Sequence, residues 1–62
     1  MPIIHIEILQ GRSLEQKRIL VEKVTAAVVE SVNCPKEAVS IIIREMALEN
    51  YANAGVLRSD RK

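Results

Sequence analysis

The first segment of the chain has the alternation of a β-strand. Between residues 2 and 9, isoleucine occupies every second position, and the positions between hold both apolar and polar residues. This period of two predicts a strand with one apolar face, formed by Ile4, Ile6 and Ile8. The opposite face would carry a mixed set, namely Ile3, His5, Glu7 and Leu9. Residues 10–12, which include a glycine, are expected to turn the chain.

A helix is predicted to follow, and it begins at a capping box. In residues 13–16, the hydroxyl of Ser13 and the amide of Gln16 can each satisfy a free backbone N–H group. The helix is expected to run to about Val32, because apolar residues recur at helical spacing: Leu20, Val21, Val24, Ala27, Val28 and Val32. Val29 falls on the polar side, either as a lone exposed residue or as a contact with another subunit. Asn33, Cys34 and Pro35 should end the helix, since the residue preceding a proline avoids the α conformation.

A second run of branched residues predicts a second strand, from Ala38 to Arg44. A strand, a long helix and a strand form a βαβ unit, in which the strands are parallel and the crossover is right-handed. Residues 45–48 are expected to make a helical turn. Residues 53–55 favour a further turn, with a short strand or hairpin arm at residues 56–58. The predicted fold class is α/β (α+β), a single βαβ domain spanning residues 1–62.

The predicted sheet has two apolar faces and only one helix to cover them. A two-stranded sheet is not stable alone, and parallel sheets are normally covered on both sides. The uncovered face must therefore meet another subunit. The small size of the chain also favours association with another subunit, because 62 residues bury only about 60% of their extended surface on folding. We expect a homo-oligomer.

The composition offers no covalent or metal support for so small a fold. Hydrophobic residues make up 48% of the chain, yet Tyr51 is its only aromatic residue, so the core should be aliphatic. Cys34 has no second cysteine to pair with, and His5 is the only histidine. We therefore expect no disulfide and no metal site, and we interpret Cys34 as structural.

The charge balance argues against a nucleic-acid surface. The formal net charge is +1, with acidic and basic residues interspersed. A basic tail of Arg58, Arg61 and Lys62, interrupted by Asp60, is interpreted as a solvated terminus, with nucleic-acid binding as its alternative. No apolar run approaches the ~20 residues of a membrane span, and no signal peptide opens the chain. The expectations are no membrane partner and a cytoplasmic location.

Pro2 stands directly after the initiator methionine. Methionine is usually removed before a small residue, and its removal would leave Pro2 with a free secondary amine, a base that no internal residue offers. Burial in an apolar site can lower the pKa of such an amine from roughly 8 toward neutrality, as general acid–base catalysis requires. The alternative is that Pro2 only begins the strand, where it need not donate a hydrogen bond.

Three blocks of sequence together resemble the 4-oxalocrotonate tautomerase (2-hydroxymuconate tautomerase) family of the tautomerase superfamily. They are Pro2 ahead of a strand, Leu9-x-Gly11-Arg12-Ser13-x-Glu15-Gln16-Lys17, and Ile41-Ile42-Ile43-x-Glu45-Met46. The similarity spans nearly the whole chain in register. It implies a homohexamer, a trimer of dimers, with the C-terminal arm reaching a neighbouring subunit. It also implies an isomerase of aromatic catabolism that uses no metal or organic cofactor.

The resemblance further implies roles for individual residues. Pro2 would be the catalytic base that removes a proton from an enol or keto acid and returns it elsewhere on the conjugated system. Arg12 falls on an arginine that binds a substrate carboxylate, for which a guanidinium offers two coplanar donors and a permanent charge. The alternative for Arg12 is pairing with a local glutamate. Tyr51 stands where the family typically has a phenylalanine that makes the wall of the site apolar.

Ser40 departs from the family pattern. Enzymes of this family that process muconates have a second arginine here, contributed to the substrate by a neighbouring subunit. Its loss would cost ~3 kcal/mol of transition-state stabilisation, or around two orders of magnitude in rate. Arg44, expected on the same strand face as Ser40, offers a partial replacement. Efficient turnover of 2-hydroxymuconate is therefore not expected, and a monoacid enol or a different dienol is favoured.

A second hypothesis is a catalytically weak or inactive oligomeric homologue that acts as a structural or binding protein. Retention of Met1 would favour it, because the Pro2 nitrogen would then be a tertiary amide without a basic lone pair.

Overall fold

The computed structural model describes residues 1–61, so Lys62 of the predicted basic tail lies outside the described residues. The chain forms two longer strands around one helix, followed by a short hairpin. The elements are β1 (Ile3–Leu9), α1 (Leu14–Val32), β2 (Ser40–Met46), β3 (Ala52–Asn53) and β4 (Val56–Leu57). Single-turn 3₁₀ helices occupy Lys36–Ala38, Leu48–Asn50 and Arg58–Asp60.

The predicted βαβ unit is confirmed. β1 and β2 pair in parallel along their whole length, from Ile3 opposite Ser40 to Leu9 opposite Met46. The first strand begins at Ile3 rather than at Pro2. The carbonyl of Pro2 nevertheless accepts a hydrogen bond of 3.0 Å from the backbone N–H of Ser40. Pro2 is therefore attached to the end of the sheet where both strands start.

The predicted bounds of β2 were wrong at both ends. Ala38 lies in the 3₁₀ turn after Pro35, because the N–H of Ala38 donates to the carbonyl of Pro35 at 3.0 Å. At the other end, the ladder with β1 continues to Met46. The helical turn predicted for residues 45–48 is consequently displaced to Leu48–Asn50. Pairing with the neighbouring strand, which local sequence does not reveal, decided where β2 ends.

The start of α1 is the predicted capping box. The Ser13 hydroxyl accepts from the N–H of Gln16 at 3.1 Å, and the Gln16 side chain accepts from the N–H of Ser13 at 2.9 Å. The helix ends at Val32, as predicted, and Asn33, the first of the three residues expected to end it, is the cap. Asn33 adopts a left-handed conformation with φ 56° and donates to the carbonyl of Val29 at 3.0 Å, ahead of Pro35.

The predicted C-terminal arm is a two-stranded antiparallel hairpin. Ala54 and Gly55 connect its strands with φ angles of 54° and 80°. Positive φ at both central residues is the geometry of the type I′ turn, which matches the twist of paired strands. Arg58, expected in a strand, instead begins the last 3₁₀ turn. Its N–H donates to the carbonyl of Tyr51 at 2.8 Å and closes the base of the hairpin.

One face of the β1–β2 sheet is covered by α1 and the other is open. The helix-side positions are half-buried and alternate with exposed ones: Ile4, Ile6, Ile8, Ile41 and Ile43. An ion pair of 2.7 Å joins Lys17 of α1 to Glu45 on that same sheet face. The open face presents Ile3, His5, Ser40, Ile42 and Arg44, all exposed. Within residues 1–61, Ile3 and Ile42 on this face remain 44% and 42% exposed.

No closed hydrophobic core exists in residues 1–61, where every apolar side chain keeps some solvent contact. The chain exposes 4991 Å² for a mass of 6.9 kDa, whereas a compact monomer of that mass exposes roughly 4000 Å². Its radius of gyration is 14.6 Å, against about 10.6 Å for a compact domain of this length. The single chain thus has the surface of a subunit rather than of a self-sufficient domain.

Candidate active site

Pro2 and Ser40 are neighbours at one end of the sheet. Both strands begin there because they are parallel, and the hydrogen bond from Ser40 to the carbonyl of Pro2 joins them. Pro2 is half-buried, whereas Met1 is 81% exposed and packs against little. Removal of Met1 would therefore cost the fold almost no packing and would uncover the Pro2 nitrogen at this end of the sheet.

Arg12 lies beyond the opposite end of β1. Its side chain lines a hollow of about 430 Å³ between residues 8–12, Leu48 and Arg58, which we call the Arg12 hollow. The apolar lining comes from Ile8, Leu9 and Leu48. An arginine beside such a lining can receive a substrate that has an anionic end and an apolar body.

Tyr51 lies close to the Arg12 hollow without lining it. The ring, 43% exposed, lines an adjoining hollow with Leu9 and Met46, and Leu9 also lines the Arg12 hollow. A third hollow contains Tyr51 together with Arg58. Leu9 and Arg58 therefore connect the surroundings of Tyr51 to those of Arg12, and these two predicted site residues belong to one region of the chain.

The four predicted site residues form two separate groups. Ile3 and Leu9, at the two ends of β1, are six residue steps of ~3.3 Å apart, or about 20 Å. Pro2 and Ser40 lie at the first end, whereas Arg12 and Tyr51 lie at the second. A small conjugated acid is much shorter than this distance. One chain alone does not bring all four residues to one substrate.

The Arg12 guanidinium has no carboxylate partner among the residues that the structure describes. The ion pairs found there join Lys17 to Glu45 and Arg18 to Glu15, at 2.7 and 3.4 Å. The alternative in which Arg12 pairs with a local glutamate is therefore not observed. The charge of Arg12 remains available to a ligand.

Arg44 does share the strand face of Ser40, as expected, but it does not lie near it. It is four residues farther along β2, about 13 Å at ~3.3 Å per residue. There it stands directly opposite Glu7 on β1. Within the chain, Arg44 therefore does not occupy the position that serine leaves without a charge.

Arg58 was not among the site residues predicted from the sequence. The sequence indicated a solvated basic tail, but the hairpin returns the chain and places Arg58 in the Arg12 hollow. The turn residues 53–55 were the available signal, because a hairpin there must bring the following residues back toward Tyr51. Whether the residues after the turn also reach the Arg12 hollow depends on how the hairpin packs in the whole fold.

The described residues contain no group of three or more His, Cys, Asp or Glu side chains placed to hold a metal ion. In residues 1–61, α1 is also too polar for a helix that crosses a membrane, and no other helix is long enough.

Comparison with known proteins identifies the family. A family model described as tautomerase enzyme matches residues 2–61. A probable tautomerase from Staphylococcus saprophyticus is 46% identical over 61 residues, covering 98% of this chain and 100% of the relative. A probable tautomerase from Lactiplantibacillus plantarum is 44% identical over 62 residues, covering 100% of this chain and 97% of the relative.

Solved structures agree with the sequence comparison. The crystal structure of YwhB, a homologue of 4-oxalocrotonate tautomerase, superposes with a TM-score of 0.95 at 44% identity, covering 98% of this chain and 100% of the other. A heterohexameric 4-oxalocrotonate tautomerase from Chloroflexus aurantiacus gives a TM-score of 0.95 at 29% identity, with both chains fully covered. The fold and these similarities define an isomerase built on a small βαβ subunit. The chain belongs to the tautomerase family and is similar throughout to 4-oxalocrotonate tautomerase homologues.

Proposed function

We propose that the protein is a cofactor-free keto–enol tautomerase in which the N-terminal amine of Pro2 is the general base and acid. The amine removes the hydroxyl proton of an enol or dienol carboxylate and returns a proton to a carbon of the conjugated system, so that no group is gained or lost. Arg12 holds the carboxylate, and Tyr51 forms part of the site wall. The observation that carries the proposal is the weakly packed Met1 in front of a half-buried Pro2, in a chain of this family.

Residues 1–62 act as one domain in this proposal, and the catalytic unit is an oligomer, specifically a homohexamer arranged as a trimer of dimers. The separation of about 20 Å between the two ends of β1 supports a composite site, in which one subunit supplies Pro2 and another supplies Arg12 and Tyr51. The open apolar sheet face and the large exposed surface support association. The heterohexamer among the structural relatives supports a six-subunit arrangement.

The proposed substrate is an enol or dienol carboxylate, with 2-hydroxymuconate as the six-carbon example. The backbone N–H of Ser40 bonds the Pro2 carbonyl at 3.0 Å, and the serine side chain carries no charge to bind a second anionic group. Monoacid enols should therefore be used at least as well as the diacid. We further propose that the protein is cytoplasmic and acts in aromatic catabolism.

The role of Pro2 as the general base is tested by replacing Pro2 with alanine. Because general acid–base catalysis contributes about 10²–10⁴-fold, Pro2→Ala should slow ketonisation of phenylenolpyruvate by a factor in that range. The matched control is Pro35→Ala, which alters the other proline at an exposed position. Equal rates for the two variants, with the assembly unchanged by sedimentation, would contradict the role of Pro2.

The state of the N-terminus provides an independent test. Intact-mass measurement on protein from its native host should give the mass without methionine. NMR titration of the ¹⁵N-labelled Pro2 amine should then give a pKa below the reference value of roughly 8, through an apolar environment and a nearby guanidinium. A mass that includes methionine would support the second candidate, a weak or inactive oligomeric homologue, because an amide nitrogen cannot take up the proton.

A further inference from the structure

Arg58 occupies a position between the two predicted substrate-binding residues. Arg58 lines the Arg12 hollow, where Arg12 is the other charged residue. It also lines the hollow that contains Tyr51. Among residues 1–61, Leu9 likewise lines the Arg12 hollow and a hollow that contains Tyr51, but it carries no charge. Arg58 is thus the cation that links the two.

The backbone of Arg58 is held in place. Its N–H donates to the carbonyl of Tyr51 at 2.8 Å, and the N–H of Arg61 closes the following 3₁₀ turn onto the carbonyl of Arg58 at 3.2 Å. The Arg61 side chain also donates to the carbonyl of Asn53 at 2.8 Å, across the arm. These bonds fix where the side chain of Arg58 begins, beside Tyr51 and at the border of the Arg12 hollow.

The side chain of Arg58 makes no ion pair or hydrogen bond with any residue in the described range 1–61. Asp60 is near in sequence but does not pair with it. Two arginines, Arg12 and Arg58, therefore border one hollow whose lining is partly apolar and includes no carboxylate. Like charges repel across such a space, and a bound anion relieves that repulsion while receiving charge-assisted hydrogen bonds from both.

We propose that Arg58 is a second carboxylate-binding residue of the site and acts together with Arg12 on the same end of the substrate. The inference rests on the proposed function, and it adds how positive charge is distributed between the two ends of the site. Positive charge is concentrated at the Arg12 end, whereas the Pro2 end carries the neutral Ser40. The site therefore selects conjugated acids whose carboxylate lies at one end and whose other end is uncharged.

The experiment measures binding of cinnamate, a planar conjugated monocarboxylate that cannot tautomerise, and of its methyl ester, by NMR titration of the assembled protein. Loss of one charge-assisted hydrogen-bonding partner should weaken cinnamate binding about 10-fold or more in Arg58→Ala, and similarly in Arg12→Ala. Binding of the ester should change less than twofold. Arg18→Ala is the matched control, because it removes the same charge from an exposed position on α1.

Two results would overturn the inference. Cinnamate binding to Arg58→Ala within twofold of the Arg18→Ala control would show that Arg58 does not hold the carboxylate. Equal losses for cinnamate and its ester would indicate a structural effect on the arm. Because cinnamate does not react, either result leaves the test of Pro2 untouched. Conversely, normal turnover by Pro2→Ala would refute the proposed mechanism without affecting the measured role of Arg58.

Discussion

In the proposed function, Ser40 is the single residue expected to set the substrate range. It lies beside Pro2 because two parallel strands start together, and its N–H holds the Pro2 carbonyl. An arginine there would bring a permanent positive charge and two coplanar donors to the end of the site that holds the proposed base. Serine brings a short neutral hydroxyl, and Arg44 of the same chain stands too far along the strand, opposite Glu7, to take over.

Ser40→Arg should consequently restore diacid turnover. We expect kcat/KM for 2-hydroxymuconate to rise by around two orders of magnitude, the effect of one additional contact to developing charge, while phenylenolpyruvate turnover changes little. Steady-state kinetics on both substrates would measure the difference. Ser31→Arg is the control for added charge, since Ser31 lies on the exposed side of α1 and its hydroxyl bonds only the Ala27 carbonyl. An equal rise for both substrates would rule out selective diacid binding.

At the level of elements, both ends of α1 are closed by hydrogen bonds made within a few residues. Ser13 and Gln16 satisfy two free N–H groups reciprocally at the start, and Asn33 closes the end in a left-handed conformation. The residues between cover only one sheet face. The capping box also sets where the turn holding Arg12 passes into the helix.

Ser13→Ala should lower the free energy of unfolding by about 1 kcal/mol per subunit, the usual cost of losing an N-cap hydroxyl. Ser31→Ala is the matched substitution in the same helix, and it should be neutral or slightly stabilising because alanine is the better helix former. Urea unfolding at one fixed protein concentration would compare the two. Equal stabilities would mean that the capping box contributes nothing measurable.

At the level of the whole molecule, the open sheet face is the feature that makes the isolated chain incomplete. Ile42 lies at the middle of β2 on that face and is 42% exposed in the single chain. The corresponding face of a stable parallel sheet is covered. Association of subunits through this face would bury the excess surface that the single chain exposes.

Ile42→Lys should therefore dissociate the assembly and unfold most of the chain, because a charge would have to be buried in an apolar interface. Analytical ultracentrifugation would show the loss of the oligomer, and far-UV circular dichroism the loss of helix. Ile19→Lys is the control, since Ile19 is similarly exposed, at 46%, but lies on α1 instead of the sheet. An Ile42→Lys protein that remained an oligomer would show that the interface lies elsewhere.

The features predicted correctly from sequence are those that depend on local interactions. The alternation of β1 reflects the two faces of a strand, and the capping box around Ser13 is completed within four residues. The turn at Ala54 and Gly55 is local as well. The end of β2 was missed because Glu45 and Met46 are extended by pairing with β1, which lies more than thirty residues earlier.

The sequence by itself thus determined the βαβ order, the limits of α1, the hairpin arm and the resemblance that singled out Pro2 and Arg12. Only the tertiary structure decided which of these residues are neighbours. The parallel direction of β1 and β2 puts Pro2 beside Ser40 and separates both from Arg12, and the returning hairpin brings Arg58 to the Arg12 hollow. Distances between segments depend on how strands pair and chains turn back, and no local pattern of side chains encodes them.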